Sequence, residues 1–113
     1  MPFDAFLTYF LFKRKLRRIP RLSTEELKEM VPRPATGLVM GAVLAQLKER
    51  GEDVTFSLPY VAQLACSSNY AAEAIGVGCL RNYFPEVAAG LEIKGIRLTK
   101  QSKQRLYDAI DRS

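Results

Sequence analysis

Prolines recur along the chain and limit how long any helix can be. Pro20 follows an aromatic and basic segment, Pro32 and Pro34 come soon after, and Pro59 and Pro85 divide the second half. Proline lacks a backbone N–H and clashes with the preceding helical turn, so it ends a helix or lies in its first turn. The chain is therefore restricted to several short helices joined by turns.

The first two helices have clear boundaries. One is predicted over residues 2–19, aromatic at its start and basic at its end, and it stops at Pro20. Ser23 precedes a second helix over residues 24–31, and Glu26 stands three residues after Ser23. This is the spacing of a capping box, in which the two side chains accept hydrogen bonds from each other's backbone N–H.

Four further helices are predicted from apolar spacing and capping residues. The third covers about residues 35–50, with Val39, Val43 and Leu47 on one stripe and Gly51 as its C-terminal cap. The other three are a fourth helix over residues 58–65 capped by Ser57, a fifth over about residues 69–83 capped by Ser67 or Ser68, and a last helix after Thr99 with Leu106, Tyr107 and Ile110 as its apolar face.

One segment has a different pattern. Residues 90–99 alternate apolar and polar side chains, which is a weak strand signal. The remainder favours helix, so the sequence predicts a mainly α protein and a single domain over residues 1–113.

The composition favours a binding protein over an enzyme. The 113 residues are 48% hydrophobic and 26% charged, which is typical of a globular domain. Histidine is absent, and no nucleophile elbow or phosphate-binding glycine loop occurs in the sequence. Cys66 and Cys79 lie among apolar residues and are predicted to be reduced, buried thiols. We therefore expect no catalytic residue, no metal and no cofactor, and a cytoplasmic protein without a transmembrane segment.

The net charge of +5 is unevenly distributed. Residues 1–21 sum to +5, residues 22–93 to −4 and residues 94–113 to +4. Both ends are therefore basic and the middle is acidic. The densest cluster gives candidate residues for docking an acidic partner, an anionic surface or nucleic acid: Lys13, Arg14, Lys15, Arg17, Arg18 and Arg21. The alternative is that this first helix only caps the core, with Phe3, Phe6, Tyr9, Phe10 and Phe12 closing it and the charges in solvent.

Small residues recur at every fourth position in the two longer central helices. The sets are Gly37, Gly41 and Ala45; Ala72 and Gly76; and Ala74 and Gly78. Residues spaced in this way form a smooth stripe that lets another helix approach closely. The stripes are predicted to be packing surfaces inside the domain.

Two segments of the chain align without gaps. Residues 41–54 match residues 74–87, with Leu47 opposite Leu80, and a short helix precedes each segment. The spacing of about 33 residues with one helical hairpin per unit is typical of a stacked helical repeat. Residues 47–76, LKERGEDVTFSLPYVAQLACSSNYAAEAIG, resemble bacterial HEAT-like repeats over about residues 24–87. The resemblance implies two stacked hairpins flanked by capping helices, with function in an exposed binding surface.

The same central stretch also resembles a winged helix-turn-helix. Residues 61–75 are similar to the helix-turn-helix of repressors, and residues 95–106 are similar to the wing and last helix of transcriptional regulators. Cys66 and Ser102 replace glycines of that pattern. This alternative implies an α+β fold in which Ser68, Asn69 and Tyr70 contact bases. Its weakness is that the second helix offers only Arg81 and carries Glu73.

The two resemblances lead to different functions. The HEAT-like one, which the sequence favours, implies a non-enzymatic scaffold or adaptor module whose partner is another protein. The winged-helix one implies a DNA-binding transcriptional regulator, and specific DNA is the less favoured partner. A β-hairpin between Gly90 and Thr99, packed beside residues 69–83, would support the second hypothesis against the first.

Overall fold

A computed structural model describes the backbone of residues 3–111 and, within that range, all side chains except those of residues 3–6 and 8. The prediction of a mainly α protein is confirmed. Within the described range the elements are α1 (Phe3–Arg18), α2 (Thr24–Met30), α3 (Met40–Glu49), α4 (Leu58–Ala65), α5 (Tyr70–Tyr83), α6 (Pro85–Ala89), β1 (Ile93–Lys94), β2 (Arg97–Leu98) and α7 (Lys100–Asp111).

The chain forms two compact units, residues 1–52 and residues 53–113. The first contains α1 to α3, and the second contains α4 to α7 with the two strands. A single domain over the whole chain stays a prediction. No helix in residues 3–111 is long and apolar enough to cross a membrane.

The first unit begins as the prolines and caps predict. The chain turns after α1 through a short 3₁₀ helix that contains Pro20. Ser23 and Glu26 form the predicted capping box, with Ser23 Oγ accepting from the Glu26 N–H at 3.1 Å and Glu26 Oε1 accepting from the Ser23 N–H at 3.0 Å. The hydrogen bond from the Ser23 backbone lowers the pKa of Glu26. Arg50 then donates to Thr24 Oγ1 and to the Pro20 carbonyl, both at 3.2 Å.

The third predicted helix is shorter than expected. A 3₁₀ helix over Pro34–Val39 takes the place of its first turns, and the α-helix begins only at Met40. Gly37 is a poor helix former, so this segment has little intrinsic tendency to start an α-helix. Gly51 follows α3 with φ +79°, and the Glu52 N–H donates to the Leu47 carbonyl, so the predicted glycine cap is confirmed. The buried side chains here include Ile19, Leu27, Val31, Val39, Met40, Val43, Leu44 and Leu47.

The second unit is built around the pair α4 and α5. Ser57 does not cap α4 as predicted, because its hydroxyl donates to the Val54 carbonyl at 2.6 Å. Pro59 lies in the first turn of α4, as expected. The core of this unit includes Val54, Val61, Ala62, Ala65, Val77, Cys79, Leu80, Phe84, Leu98 and Leu106.

The two small-residue stripes of α5, which contain Gly76 and Gly78, lie in different surroundings. Gly76 is buried against α4, and a Cβ placed there would lie 2.6 Å from Ala65 Cα and 2.7 Å from the Leu64 carbonyl carbon. Gly78 has open space around the same position. The prediction of close packing is therefore confirmed at Gly76 and wrong at Gly78, because successive stripes of a helix face different directions.

The weak strand signal is confirmed as an antiparallel hairpin. Ile93 pairs with Leu98, Lys94 pairs with Arg97, and Gly95 turns the chain with φ +68°. Ser102, which replaces a glycine of the winged-helix pattern, is fully buried, and its Oγ accepts from the Glu92 N–H at 2.7 Å. The hydroxyl therefore holds the start of the hairpin against α7.

The two helical hairpins of the predicted repeat are unlike each other in their connections. Residues 31–39, with a 3₁₀ helix, join α2 to α3, whereas residues 66–69 join α4 to α5. A stacked HEAT-like repeat stays a prediction. The hairpin predicted by the winged-helix alternative is present between Gly90 and Thr99, and β2 packs on α5.

Some side chains differ from their predicted environments. Tyr9 and Phe10 are exposed, each at 54%, so they do not close the core, while Phe12 is half-buried; Phe3 and Phe6 lie outside the described side chains. On α7, Leu106 is buried as expected, but Tyr107 is exposed.

Both cysteines are free thiols, as predicted. Cys79 is buried, and burial raises its pKa to about 11. Cys66 is half-buried, and burial raises its pKa too. Because the thiolate is the reactive form, neither residue has the environment of a nucleophile.

Candidate nucleic-acid interface

The turn between α4 and α5 is short and hydrogen-bonded from within. The Asn69 N–H donates to Ser67 Oγ at 3.0 Å, and Asn69 Oδ1 accepts from the Ala72 N–H at 3.0 Å. Asn69 is therefore the cap of α5, in place of the predicted Ser67 or Ser68. Since Gly76 lets the helix backbones touch, the start of α5 has a fixed position relative to α4.

The three residues predicted to contact bases are all at the surface. Ser68 and Asn69 are exposed in the turn, and Tyr70 is 61% exposed in the first turn of α5. Asn69 uses its carbonyl oxygen as a cap, and its amide NH₂ is a donor that takes no part in this cap. Ala71 is also exposed, so the start of α5 presents small and polar groups together with one aromatic ring.

Glu73 is buried and paired in the structure, whereas the sequence alone indicates a negative charge that disfavours DNA binding by this helix. Its side chain is 2% exposed, and it forms ion pairs with Lys103 Nζ at 2.9 Å and with Arg97 Nε at 2.8 Å. The hydrogen bond from Lys103, followed by that from Arg97, lowers the pKa of Glu73. The carboxylate is therefore ionised inside the unit and does not present a negative charge on the surface of α5.

The same ion pairs attach the hairpin and α7 to the start of α5. Arg97 lies on β2 and Lys103 on α7, so Glu73 connects three elements. The Arg97 guanidinium also lies over the Tyr70 ring, 5.6 Å from its centre. Cation–π contacts of this kind are attractive at such distances.

The hairpin supplies positive charge beside these groups. Lys94 is the cross-strand partner of Arg97, and cross-strand partners project from the same face of a hairpin. Lys94, Arg97 and Lys100 are exposed. The candidate site is therefore the surface formed by residues 68–71 of the turn and α5 together with Lys94, Arg97 and Lys100, hereafter the α5–hairpin surface.

The chemistry of this surface suits a nucleic acid, which presents phosphate groups together with the polar edges of its bases. Lysine and arginine bind phosphate oxygens, and the hydroxyl and amide groups of Ser68, Asn69 and Tyr70 can form hydrogen bonds with base edges. Sequence reasoning missed four basic residues: Lys94, Arg97 and Lys100 of this surface, and Lys103, which pairs with Glu73. Their only sequence signal is their place in the basic last segment, and nothing local shows that Arg97 and Lys103 are the partners of Glu73.

The other predicted cluster lies in the first unit. Lys13, Arg14, Arg17, Arg18 and Arg21 are exposed on α1 and the 3₁₀ helix that follows it. Lys13 Nζ lies 5.0 Å from the centre of the Tyr9 ring. Lys15 is half-buried and donates to the Ala35 carbonyl at 2.8 Å, which gives it a structural role.

Among the described side chains, no group of three or more Cys, Asp or Glu residues is arranged so that it could hold a metal ion. In comparisons with known proteins, no family model matches the chain, and neither a curated protein nor a solved structure matches it.

Proposed function

We propose that residues 53–113 bind duplex DNA in the manner of a winged helix-turn-helix, with the α5–hairpin surface against the DNA. The observation that carries this proposal is the attachment of a basic β-hairpin to the first turns of α5, through Arg97 with Glu73 and Tyr70. A helix and an adjacent hairpin held in this way can contact a groove and the flanking phosphates at the same time.

Charge supports the same proposal. The acidic middle of the sequence made α5 a poor partner for phosphate, but its acidic residue Glu73 is buried and doubly paired. The exposed cations Lys94, Arg97 and Lys100 lie on the hairpin and at the start of α7. Non-specific affinity for DNA comes mainly from such cations.

The exposed groups at the start of α5 support a contribution to sequence preference. The Asn69 amide NH₂ and the hydroxyls of Ser68 and Tyr70 can bond to base edges, and the Ala71 methyl can contact the methyl group of thymine. Arginine, the commonest partner of guanine, does not occur among residues 68–71. We therefore propose modest preference for sequence, with most of the affinity from phosphate contacts. The adaptor function implied by the HEAT resemblance stays a prediction.

The salt dependence of DNA binding tests the role of the hairpin. The full chain is titrated against a fluorescent duplex of mixed sequence at several salt concentrations. Lys94→Gln and Lys100→Gln should each reduce the slope of log affinity against log salt by about 0.9, because each lost phosphate contact releases fewer counterions. Lys48→Gln is the matched control, since Lys48 is an exposed lysine on α3 in the other unit. Equal slopes for all three variants would contradict the proposal.

The start of α5 is tested with a duplex selected from a random pool. Tyr70→Phe and Asn69→Ser should each weaken binding to the selected duplex by about fivefold or more and leave binding to mixed sequence unchanged, because a specific base contact contributes roughly 1–3 kcal/mol. Asn69→Ser preserves a capping side chain, so it separates base contact from helix stability. Equal losses on both duplexes, or failure to select any sequence, would contradict base contact by these residues.

A further inference from the structure

Three large apolar side chains are exposed on one face of α1. Leu7, Phe10 and Leu11 are 42%, 54% and 51% exposed. Their positions differ by three and four residues, so they are neighbours on the helix surface. Exposed apolar residues that are contiguous mark a contact surface more often than single ones do.

The same face becomes cationic along the helix. Arg14, Arg17 and Arg18 follow Leu7, Phe10 and Leu11 by seven residues each, which is two helical turns, and all three are exposed. A shift of seven residues corresponds to about 10 Å along the helix axis. We name these six residues the α1 face. It is apolar over its first half and positively charged over its second half.

The neighbouring segment extends this face. A cleft of about 450 Å³ lies between α1 and residues 35–39, and its lining includes Leu11, Arg14, Arg18 and the 53%-exposed Leu38. The hydrogen bond from Lys15 to the Ala35 carbonyl holds the two segments together. The cleft therefore adds a further apolar group beside the arginines.

The charge pattern selects among possible occupants. A second copy packed through the same face would bring no acidic side chain from it, since its six residues are leucines, a phenylalanine and arginines, and two copies would bury guanidinium groups without carboxylates. Nucleic acid would satisfy the arginines and leave Phe10, Leu7 and Leu11 in water. A bilayer with anionic lipids offers an apolar layer of acyl chains for the first half of the face and a layer of phosphate groups for the second half.

We propose that the α1 face binds the surface of a bilayer that contains anionic phospholipids. Leu7, Phe10 and Leu11 enter the acyl boundary, and Arg14, Arg17 and Arg18 bind lipid phosphates. Interfacial helices bury apolar side chains roughly 5–10 Å into the boundary between headgroups and acyl chains. If α1 enters that boundary obliquely by its first half, the arginines, about 10 Å further along the axis, lie nearer the phosphates. This function belongs to residues 1–52 and does not depend on DNA binding by residues 53–113.

Vesicle flotation of the full chain tests the charge requirement. We expect flotation with vesicles of phosphatidylcholine containing about a third phosphatidylglycerol, and none with phosphatidylcholine alone. Arg14→Gln, Arg17→Gln and Arg18→Gln combined should lower the affinity about a hundredfold, because each cation near an anionic surface contributes about fivefold. Combined Arg33→Gln, Lys48→Gln and Arg81→Gln removes the same charge from exposed positions elsewhere and should have a much smaller effect.

A fluorescence measurement tests insertion of the apolar half without removing it. The chain has no tryptophan, so Phe10→Trp introduces a single reporter in the α1 face, and Phe56→Trp gives a control at a 40%-exposed phenylalanine of the other unit. Anionic vesicles should shift the Phe10→Trp emission to shorter wavelength and leave the Phe56→Trp emission unchanged. Phe10→Ser with Leu11→Ser should abolish flotation while the melting temperature stays within a few degrees of the parent, since both side chains are exposed.

Several outcomes would overturn the proposal. One is equal flotation with neutral and anionic vesicles. Another is an equal loss of vesicle affinity in the two variants that each lack three positive charges. A third is Phe10→Trp emission that does not respond to vesicles. Conversion of a solution dimer to a monomer by Phe10→Ser with Leu11→Ser, without any vesicle binding by the parent, would assign this face to self-association. Loss of DNA binding alone would leave this proposal unaffected.

Discussion

Gly76→Ala should destabilise the second unit by about 3 kcal/mol or more. The added methyl would meet the backbone of α4, with Ala65 Cα at 2.6 Å and the Leu64 carbonyl carbon at 2.7 Å. Overpacking typically costs about 1–3 kcal/mol, and the upper end applies here because main-chain atoms cannot rotate away as a side chain can. Urea denaturation followed by circular dichroism measures the change.

Gly78→Ala provides the matched control two residues later on the same helix. Its Cβ meets open space, and alanine is a better helix former than glycine. We expect this variant to gain about 0.5–1 kcal/mol of stability. Similar unfolding curves for the two variants would show that α4 and α5 do not meet at Gly76.

Replacing both cationic partners of Glu73 is the second change that we expect to lower stability strongly. Arg97→Met with Lys103→Met leaves a carboxylate that is 2% exposed without any of the ion pairs that it forms in the parent. Removing the partners of a buried charge costs up to about 3–5 kcal/mol, and we expect the lower end of that range here, because the carboxylate is buried but Arg97 is 58% exposed. Chemical denaturation at pH 7 measures this loss. The hairpin should also become more mobile, since Arg97 attaches β2 to α5.

The pH dependence of stability distinguishes this mechanism from a simple loss of packing. In the parent, the pKa of Glu73 is lowered, first by Lys103 and then by Arg97. Its contribution to stability is therefore present above the unfolded-state pKa and is lost as the pH falls through the folded-state pKa. In the double variant burial alone remains and raises that pKa. The stability that the double variant loses relative to the parent should then be smallest in acid. It should grow as the pH rises from the lowered pKa of Glu73 in the parent to the raised pKa of Glu73 in the variant.

A third substitution completes the test. Adding Glu73→Leu to the double variant removes the buried charge and should restore most of the stability at pH 7, because an apolar group of similar size can replace a buried ion pair. No recovery, or a deficit that is independent of pH, would mean that the cations act through packing. A stable triple variant would also show whether DNA affinity depends on Arg97 itself, through its contact with Tyr70.

The sequence alone determined the features that depend on neighbouring residues. The capping box of Ser23 and Glu26 and the left-handed Gly51 after α3 follow from local backbone chemistry, and the alternation within residues 90–99 gave a weak strand signal where the hairpin lies. The prolines restricted the helices in the same way, since their effect acts on the adjacent turn. The mainly α class followed from these signals together.

Only the tertiary structure decided the roles that depend on distant residues. Gly76 and Gly78 have the same spacing pattern in the sequence, yet only Gly76 faces α4. Glu73 gave the candidate DNA-contacting helix an unfavourable charge until the fold brought Arg97 and Lys103, 24 and 30 residues away in the sequence, onto its carboxylate. Phe10 has the large apolar side chain that is usual in a protein core, but it is 54% exposed. Burial and ion pairing are properties of spatial neighbours, and a sequence pattern specifies the face of a helix without specifying what packs against it.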